Sequence, residues 1–183
     1  MNMEMLKNSS ILIDEKALDK RVEELAEKIN RDFAGEKLIV VGVLKGAFMF
    51  MSDLLKKITL DTEVYFLKAE SYGRGTETSG TVKITKDIEA DINGENVLLV
   101  EDIIDSGFTM REVIKLLSER NPKTLKLASC LSKPSRRECE IGIDYLGFEI
   151  PDEFVIGYGL DYAEKYRALP YVGVLKPSVY SHA

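Results

Sequence analysis

Val97-Leu98-Leu99-Val100 is a run of core-type residues that stops at two adjacent acids, Glu101 and Asp102. Ile103 and Ile104 follow, then a third acid, Asp105, then Ser106, Gly107, Phe108 and Thr109. Read as a strand running into a helix, this order sets carboxylates, hydroxyls and free backbone amides at a strand's carboxyl end. Amides at a helix start have no intrahelical partners, and with the helix dipole they favour a phosphate. Gly107 permits close backbone approach, and Ser106 and Thr109 add hydroxyl donors. Glu101 and Asp102 suit the vicinal hydroxyls of a ribose and a magnesium ion, held directly or through water. Asp105, inside the loop, reaches a group lying above the sugar. A strand end that is only solvated and a helix that is only capped do not call for three acids. The Walker pattern is absent, which counts against an ATPase or GTPase.

The elements around this junction follow from hydrophobic period and breakers. Thr109-Met110-Arg111-Glu112 fits a capping box, which predicts Thr109 as N-cap of a helix reaching about Arg120. Leu18, Val22, Leu25, Ala26 and Ile29 recur at helical spacing after Asp14, a suitable N-cap, with Gly35 as the stop. Leu38 to Leu44 reads as a strand covered on both faces, Ala47 to Ile58 as a helix, and Thr62 to Lys68 as a strand. The glycine-rich stretch Ser71 to Thr81 reads as a flexible loop. Val82 to Ile88 and Thr124 to Leu131 are further strands, with short strand-like pieces at Asp144 to Phe148, Phe154 to Tyr158 and Tyr171 to Leu175. Strand–helix alternation implies an α/β fold, a doubly wound, mostly parallel sheet flanked by helices. We expect one domain over 1–183, with a core at about 37–135 and a small hood from about 1–36 and 136–183. The strand-end rule puts the site at Lys45, Glu101 to Thr109 and Lys133.

Composition narrows the class. A net charge of -6 gives no general attraction to nucleic acid or to an anionic membrane surface, so neither is an expected partner. No run approaches the ~18 apolar residues of a spanning helix, and Met1 to Ser10 lacks a signal-peptide pattern. Cys130 and Cys139 have no CxxC spacing and read as reduced thiols, which points to the cytoplasm. The only histidine, His182, lies in the tail, so acid–base work falls to carboxylates, lysine or tyrosine.

Val-Glu-Asp-Ile-Ile-Asp-Ser-Gly at 100–107 resembles the phosphoribosyl diphosphate (PRPP) signature of type I phosphoribosyltransferases, the hypoxanthine-guanine branch in particular. Leu44-Lys45-Gly46, Ser71-Tyr72-Gly73, Lys133-Pro134-Ser135-Arg136-Arg137 and the run from Gly147 to Tyr162 are similar to that branch too, and Arg167 follows at the family's distance. Five pieces in the right order, from about Val40 to Val174, are far more specific than any one.

The resemblance implies transfer of ribose 5-phosphate from PRPP to purine N9, with release of pyrophosphate and with Mg²⁺ as cofactor. It implies Asp105 as proton acceptor at purine N7, and Glu101 and Asp102 at the ribose and the metal. It places the 5′-phosphate on residues Asp105, Ser106, Gly107, Phe108 and Thr109. Lys45, Gly46 and Arg167 correspond to pyrophosphate ligands, and the peptide bond before Lys45 to one that can be cis without proline in the family, a point the sequence leaves open. Lys133 corresponds to the donor to the purine 6-oxo group, Phe154 to the stacking aromatic, and Val155 to a backbone contact at the base edge. Asp161 corresponds to a metal ligand whose backbone also reaches the base, and Ser71 and Tyr72 to a loop that closes over the reaction. Phe108 stands where some relatives carry a basic residue, so phosphate binding rests there on amides and hydroxyls. Arg74, Glu77, Arg136 and Arg137 receive no role at the site. A homodimer or homotetramer is the family expectation. Two other readings stand beside the purine transferase: a nucleotide-sensing, RNA-binding regulator built on this fold, and a xanthine-preferring relative. The acidic balance speaks against the first.

Overall fold

The computed structural model describes residues 9–72 and 81–180. Its centre is a six-stranded sheet in the order β4-β3-β2-β5-β6-β7. The strands are β2 (Leu38–Leu44), β3 (Thr62–Tyr72), β4 (Thr81–Lys86), β5 (Asn96–Ile104), β6 (Thr124–Ser132) and β7 (Tyr145–Glu149). All neighbours are parallel except β4, which runs antiparallel on the β3 edge. The chain leaves β2 toward β3 and β4, then resumes on the other side of β2 with β5, β6 and β7. The direction of winding therefore reverses between β2 and β5, and a crevice opens where their carboxyl ends part.

Both faces of β2 and β5 are covered, as their near-continuous apolar runs require. Val40, Leu98 and Val100 face one layer with Leu18, Val22, Ile29, Phe50 and Leu54. Those residues belong to helices α1 (Glu15–Asp32) and α2 (Phe48–Lys57). Ile39, Val41, Val97 and Leu99 face the other layer with Met110, Val113 and Leu117 of α3 (Phe108–Ser118). Asp14 caps α1 as expected, its Oδ1 accepting from the Ala17 amide at 2.8 Å.

A second, three-stranded sheet has the order β1-β9-β8, from β1 (Ser9–Ile13), β8 (Val155–Ile156) and β9 (Val172–Leu175), all antiparallel. A short helix, α4 (Pro177–Tyr180), follows β9. This sheet pairs β1, near the start of the described residues, with β9, near their end. The expected boundary needs two corrections. β7 lies beyond residue 135 yet completes the central sheet beside β6. Helix α1 precedes residue 37 yet packs in the core layer. Arg21 ties it there by donating from Nε to Gly147 O at 3.0 Å and from Nη2 to Leu146 O at 2.7 Å, and Tyr145 donates to Asp32 Oδ2 at 2.8 Å.

Leu98 is fully buried between α1, α2 and the sheet. Leu98→Ala should cost about 2–5 kcal/mol. Urea unfolding checks this, with a lower midpoint and an unchanged slope as the expected result.

Candidate active site

A cavity of about 460 Å³ opens at the carboxyl ends of β2 and β5. Lys45, Gly46, Glu101, Asp102, Asp105, Ser106, Gly107, Thr109, Asp161 and Arg167 line it. The Leu44–Lys45 peptide bond is cis, which the resemblance allowed. Gly46 touches Asp102 so closely that a Cβ would overlap the carboxylate. The hood's Gly159, at φ +102°, closes on the Gly46 carbonyl in turn. Glycine at both places lets three chain segments meet in the floor of the crevice.

The loop after β5 is set by Gly107. Its φ of +94° is left-handed, and a Cβ there would press on Cys139 Sγ at 3.0 Å and Cys139 O at 3.1 Å. Gly107, not Thr109, is the N-cap of α3, which starts two residues earlier than the capping box implied. No side chain caps this helix start, so no internal hydroxyl competes with a phosphate for its amides. The Glu138 and Cys139 amides both donate to Ser106 O, at 3.0 and 3.2 Å, and hold the loop from behind.

Glu101 and Asp102 lie side by side in the crevice floor. Burial pushes the Glu101 carboxyl well above the usual carboxylate range, and the neighbouring Asp102 charge adds to this. Burial also pushes Asp102 up to about 6, against the opposing effect of the Ile103 amide, which donates to its Oδ1 at 2.7 Å. Glu101 Oε2 is buried without a hydrogen-bond partner. Two carboxyls that resist ionising together, one with an orphaned oxygen, fit a divalent cation or a pair of hydroxyls. Among the described residues no three acids, histidines or cysteines group around one point. An ion here would therefore draw most of its oxygens from substrate and water, the usual habit of Mg²⁺.

Cations stand at the cavity rim. Arg167 donates from Nη1 to Gly159 O at 2.8 Å, and its Nη2 pairs with Asp161 Oδ1 at 2.8 Å and Glu164 Oε2 at 3.2 Å. Lys45 Nζ pairs with Glu164 Oε1 at 3.0 Å. Arg167 Nε is buried without a partner.

A second cavity, of about 450 Å³, shares Ile103 and Asp105 with the first. Lys133, Arg136, Asp152, Phe154, Val155 and Tyr180 line it. Register carries Lys133 here: Ile104 pairs with Ser132, and the Lys133 amide donates to Ile104 O at 3.0 Å. Its ammonium is almost buried and lies 3.7 Å from Asp152 Oδ1. Phe154 is 39% exposed, which leaves it available to a ligand beyond its contact with Tyr180, 5.0 Å between centroids.

The family profile described as Phosphoribosyl transferase domain matches residues 8–163. The hypoxanthine-guanine phosphoribosyltransferase of Bacillus subtilis is 47% identical over 93% of this chain and 94% of its own length. The chain belongs to the hypoxanthine-guanine phosphoribosyltransferase family. A crystal structure of a hypoxanthine phosphoribosyltransferase from Staphylococcus aureus shares the fold at a TM-score of 0.94 and 43% identity, covering 98% of each chain. The Bifunctional protein TilS/HprT of Listeria monocytogenes is 50% identical over 93% of this chain. The chain spans only 26% of that relative's length.

Most of the expected residues converge, and four expectations need correction or stay open. Phe108 does not line the cavity; its ring lies against the Arg111 guanidinium at 5.2 Å. Asp161 lines the first cavity and not the second, because its carboxylate pairs with Arg167, which lines the first. It also lies outside any three-acid cluster with Glu101 and Asp102. Ser71 and Tyr72 end β3, and both their side chains and residues 73–80, with Arg74 and Glu77, lie outside the described residues.

Sequence reasoning missed Arg136 and Tyr180. Arg136 Nε sits 3.3 Å from Asp105 Oδ1, and its Nη1 3.8 Å from Asp152 Oδ2. The signal was its place three residues after Lys133, in the 3₁₀ turn Pro134–Arg136. Arg137 donates instead to Ser132 Oγ at 2.7 Å and secures the strand end.

Folding raises the proton affinity of Glu101 and Asp102. From the unfolded range near pH 4 up to about 6 and above, the folded chain binds more protons than the unfolded one, so stability falls as pH rises through that window. Glu101→Gln is neutral throughout. Without metal or substrate it should melt roughly 2–6 °C above wild type at pH 8. The gap should shrink at pH 5. A gap that is the same at both values contradicts the assignment, and differential scanning calorimetry reads it.

Proposed function

We propose that this chain transfers the 5-phosphoribosyl group of PRPP to N9 of hypoxanthine or guanine, giving IMP or GMP and pyrophosphate. The observation that carries this reading is the pair of cavities joined at Asp105. One offers acids, cations and free helix-start amides, which suit a sugar phosphate. The other offers an aromatic face and a nearly buried ammonium, which suit an oxo-purine.

In this reading the amides and hydroxyls of residues 106–109 grip the 5′-phosphate, and Glu101 and Asp102 accept from the ribose hydroxyls. Lys45 and Arg167 bind the diphosphate, with Gly46 bringing that turn against Asp102. As the C1′–diphosphate bond lengthens, positive charge builds on the sugar and negative charge on the leaving group, as in glycoside chemistry. Fixed cations aimed at the leaving group stabilise this state. Lys133 donates to the 6-oxo group and Phe154 stacks on the ring, while the Val155 backbone meets the base edge. Asp105 accepts the proton that N7 must lose. Its pairing with Arg136 holds its carboxylate at the junction of the two cavities. Glu101 and Asp102 would hold Mg²⁺, which would neutralise charge on the diphosphate; Asp161, whose two oxygens meet Arg167 and the Glu164 amide, would reach an ion only through substrate or water.

The relatives' names and the complete oxo-purine cavity favour a transferase over a nucleotide-sensing regulator. Among hypoxanthine, guanine and xanthine, the Lys133 contact favours any 6-oxo purine. Val64, Phe66 and Phe48 are large apolar side chains left exposed, and they support the homodimer or homotetramer. Two free cysteines are in keeping with a cytoplasmic enzyme.

A coupled assay with hypoxanthine, guanine, xanthine and adenine tests the activity, with the first two expected to react fastest. Asp105→Asn should lower kcat by roughly 10²–10⁴ while PRPP still binds. Lost PRPP binding with normal turnover would contradict its role. Lys133→Ala should raise the KM for the purine far more than that for PRPP, and equal damage to both would overturn that assignment.

A further inference from the structure

Glu164 has no part in the reaction as read above, yet it touches both cations of the diphosphate end. Its Oε1 lies 3.0 Å from Lys45 Nζ and its Oε2 lies 3.2 Å from Arg167 Nη2. Lys45 follows β2 on the core side, while Arg167 belongs to the hood. One carboxylate thus spans the crevice with an oxygen for each cation, an arrangement that two oxygens of a phosphate group reproduce. Its main chain is fastened, because the Glu164 amide donates to Asp161 Oδ2 at 2.8 Å. Its side chain is 65% exposed and free to rotate away from that anchor.

We propose that Glu164 is a built-in counter-anion for the diphosphate site: it bridges Lys45 and Arg167, yields to the diphosphate of PRPP, and returns as pyrophosphate leaves. The inference rests on the reading of Lys45 and Arg167 as diphosphate ligands. Charge decides the direction of exchange. A diphosphate brings several negative charges and more acceptor oxygens than one carboxylate, and ion pairs this exposed are weak. The incoming group therefore displaces Glu164, but at some cost to its own affinity. Between turnovers the carboxylate keeps two like charges, from different segments, aimed at one point. On the product side it competes with pyrophosphate and speeds its departure, a step that limits turnover in many enzymes.

Calorimetric titration of pyrophosphate at fixed Mg²⁺ tests this, with IMP titrated in parallel. Glu164→Gln should bind pyrophosphate roughly 2- to 20-fold more tightly than wild type. IMP affinity should stay unchanged, since the 5′-phosphate loop lies apart from Glu164. Glu164→Ala carries the same expectation and serves where the glutamine variant does not fold. Glu23→Gln, on α1 and outside both cavities, should change neither affinity. Unchanged or weaker pyrophosphate binding in both Glu164 variants overturns the counter-anion role, as does equal tightening of pyrophosphate and IMP. Lys45→Gln separates the two levels of argument. If it binds pyrophosphate as tightly as wild type, the reading of the diphosphate site fails; if it loses binding while the Glu164 variants gain nothing, only the counter-anion role fails.

Discussion

Parallel pairing of β5 with β2 on one side and β6 on the other is the constraint on which the site depends. Gly42 pairs with Val100, and Ile104 with Ser132, so the three strands end nearly level. The residues just past each strand are then delivered to one edge: Lys45 and Gly46 from β2, the acid-rich loop from β5, and Lys133 from β6. Neither face of these strands is free, because α1 and α2 cover one and α3 the other. A slip of one residue would turn Glu101 and Asp102 over and drive a charge into an apolar layer. The buried alternation of β5 therefore holds the chemistry in place as firmly as any contact within the site.

Electrostatic balance shapes the rest. Acids form the floor of the first cavity, and cations stand on its rim. The floor carboxyls are shifted upward by burial and crowding, while the rim cations lean on Asp161 and Glu164. The rim cations have carboxylate partners, while Glu101 Oε2 and Arg167 Nε have none among the described residues. Glu164 bridges Lys45 and Arg167, and Asp161 shares Arg167 with it. In the second cavity, Arg136 and Asp152 stand in a similar relation to Asp105 and Lys133. The site is thus organised by charges before substrate arrives, which limits the reorganisation left for the reaction.

The strand–loop–helix junction was legible in the sequence because an apolar run ending in three acids is a local signal. So were the paired faces of β2 and β5 and the helix starting at Asp14. The N-cap of α3 was misplaced because Gly107 adopts a left-handed φ, and neighbouring Cys139 leaves space for nothing larger. A capping box carries no information about that tertiary wall. The assignment of α1 and β7 to the core was hidden too, since Arg21 and two β7 carbonyls are far apart in sequence. Arg136, Glu164 and Tyr180 escaped for the same reason: they meet residues far away in the sequence, Asp105, Lys45 and Phe154. Local pattern reveals what one segment can do, while long-range ion pairs depend on how segments are stacked.

The most direct test of the shared-junction account is a crystal structure of the complex with IMP. The account places the 5′-phosphate on the amides of residues 106–109, the purine ring against Phe154, the 6-oxo oxygen beside Lys133 and N7 toward Asp105. A phosphate bound away from that loop, or a purine lodged outside the second cavity, would contradict it.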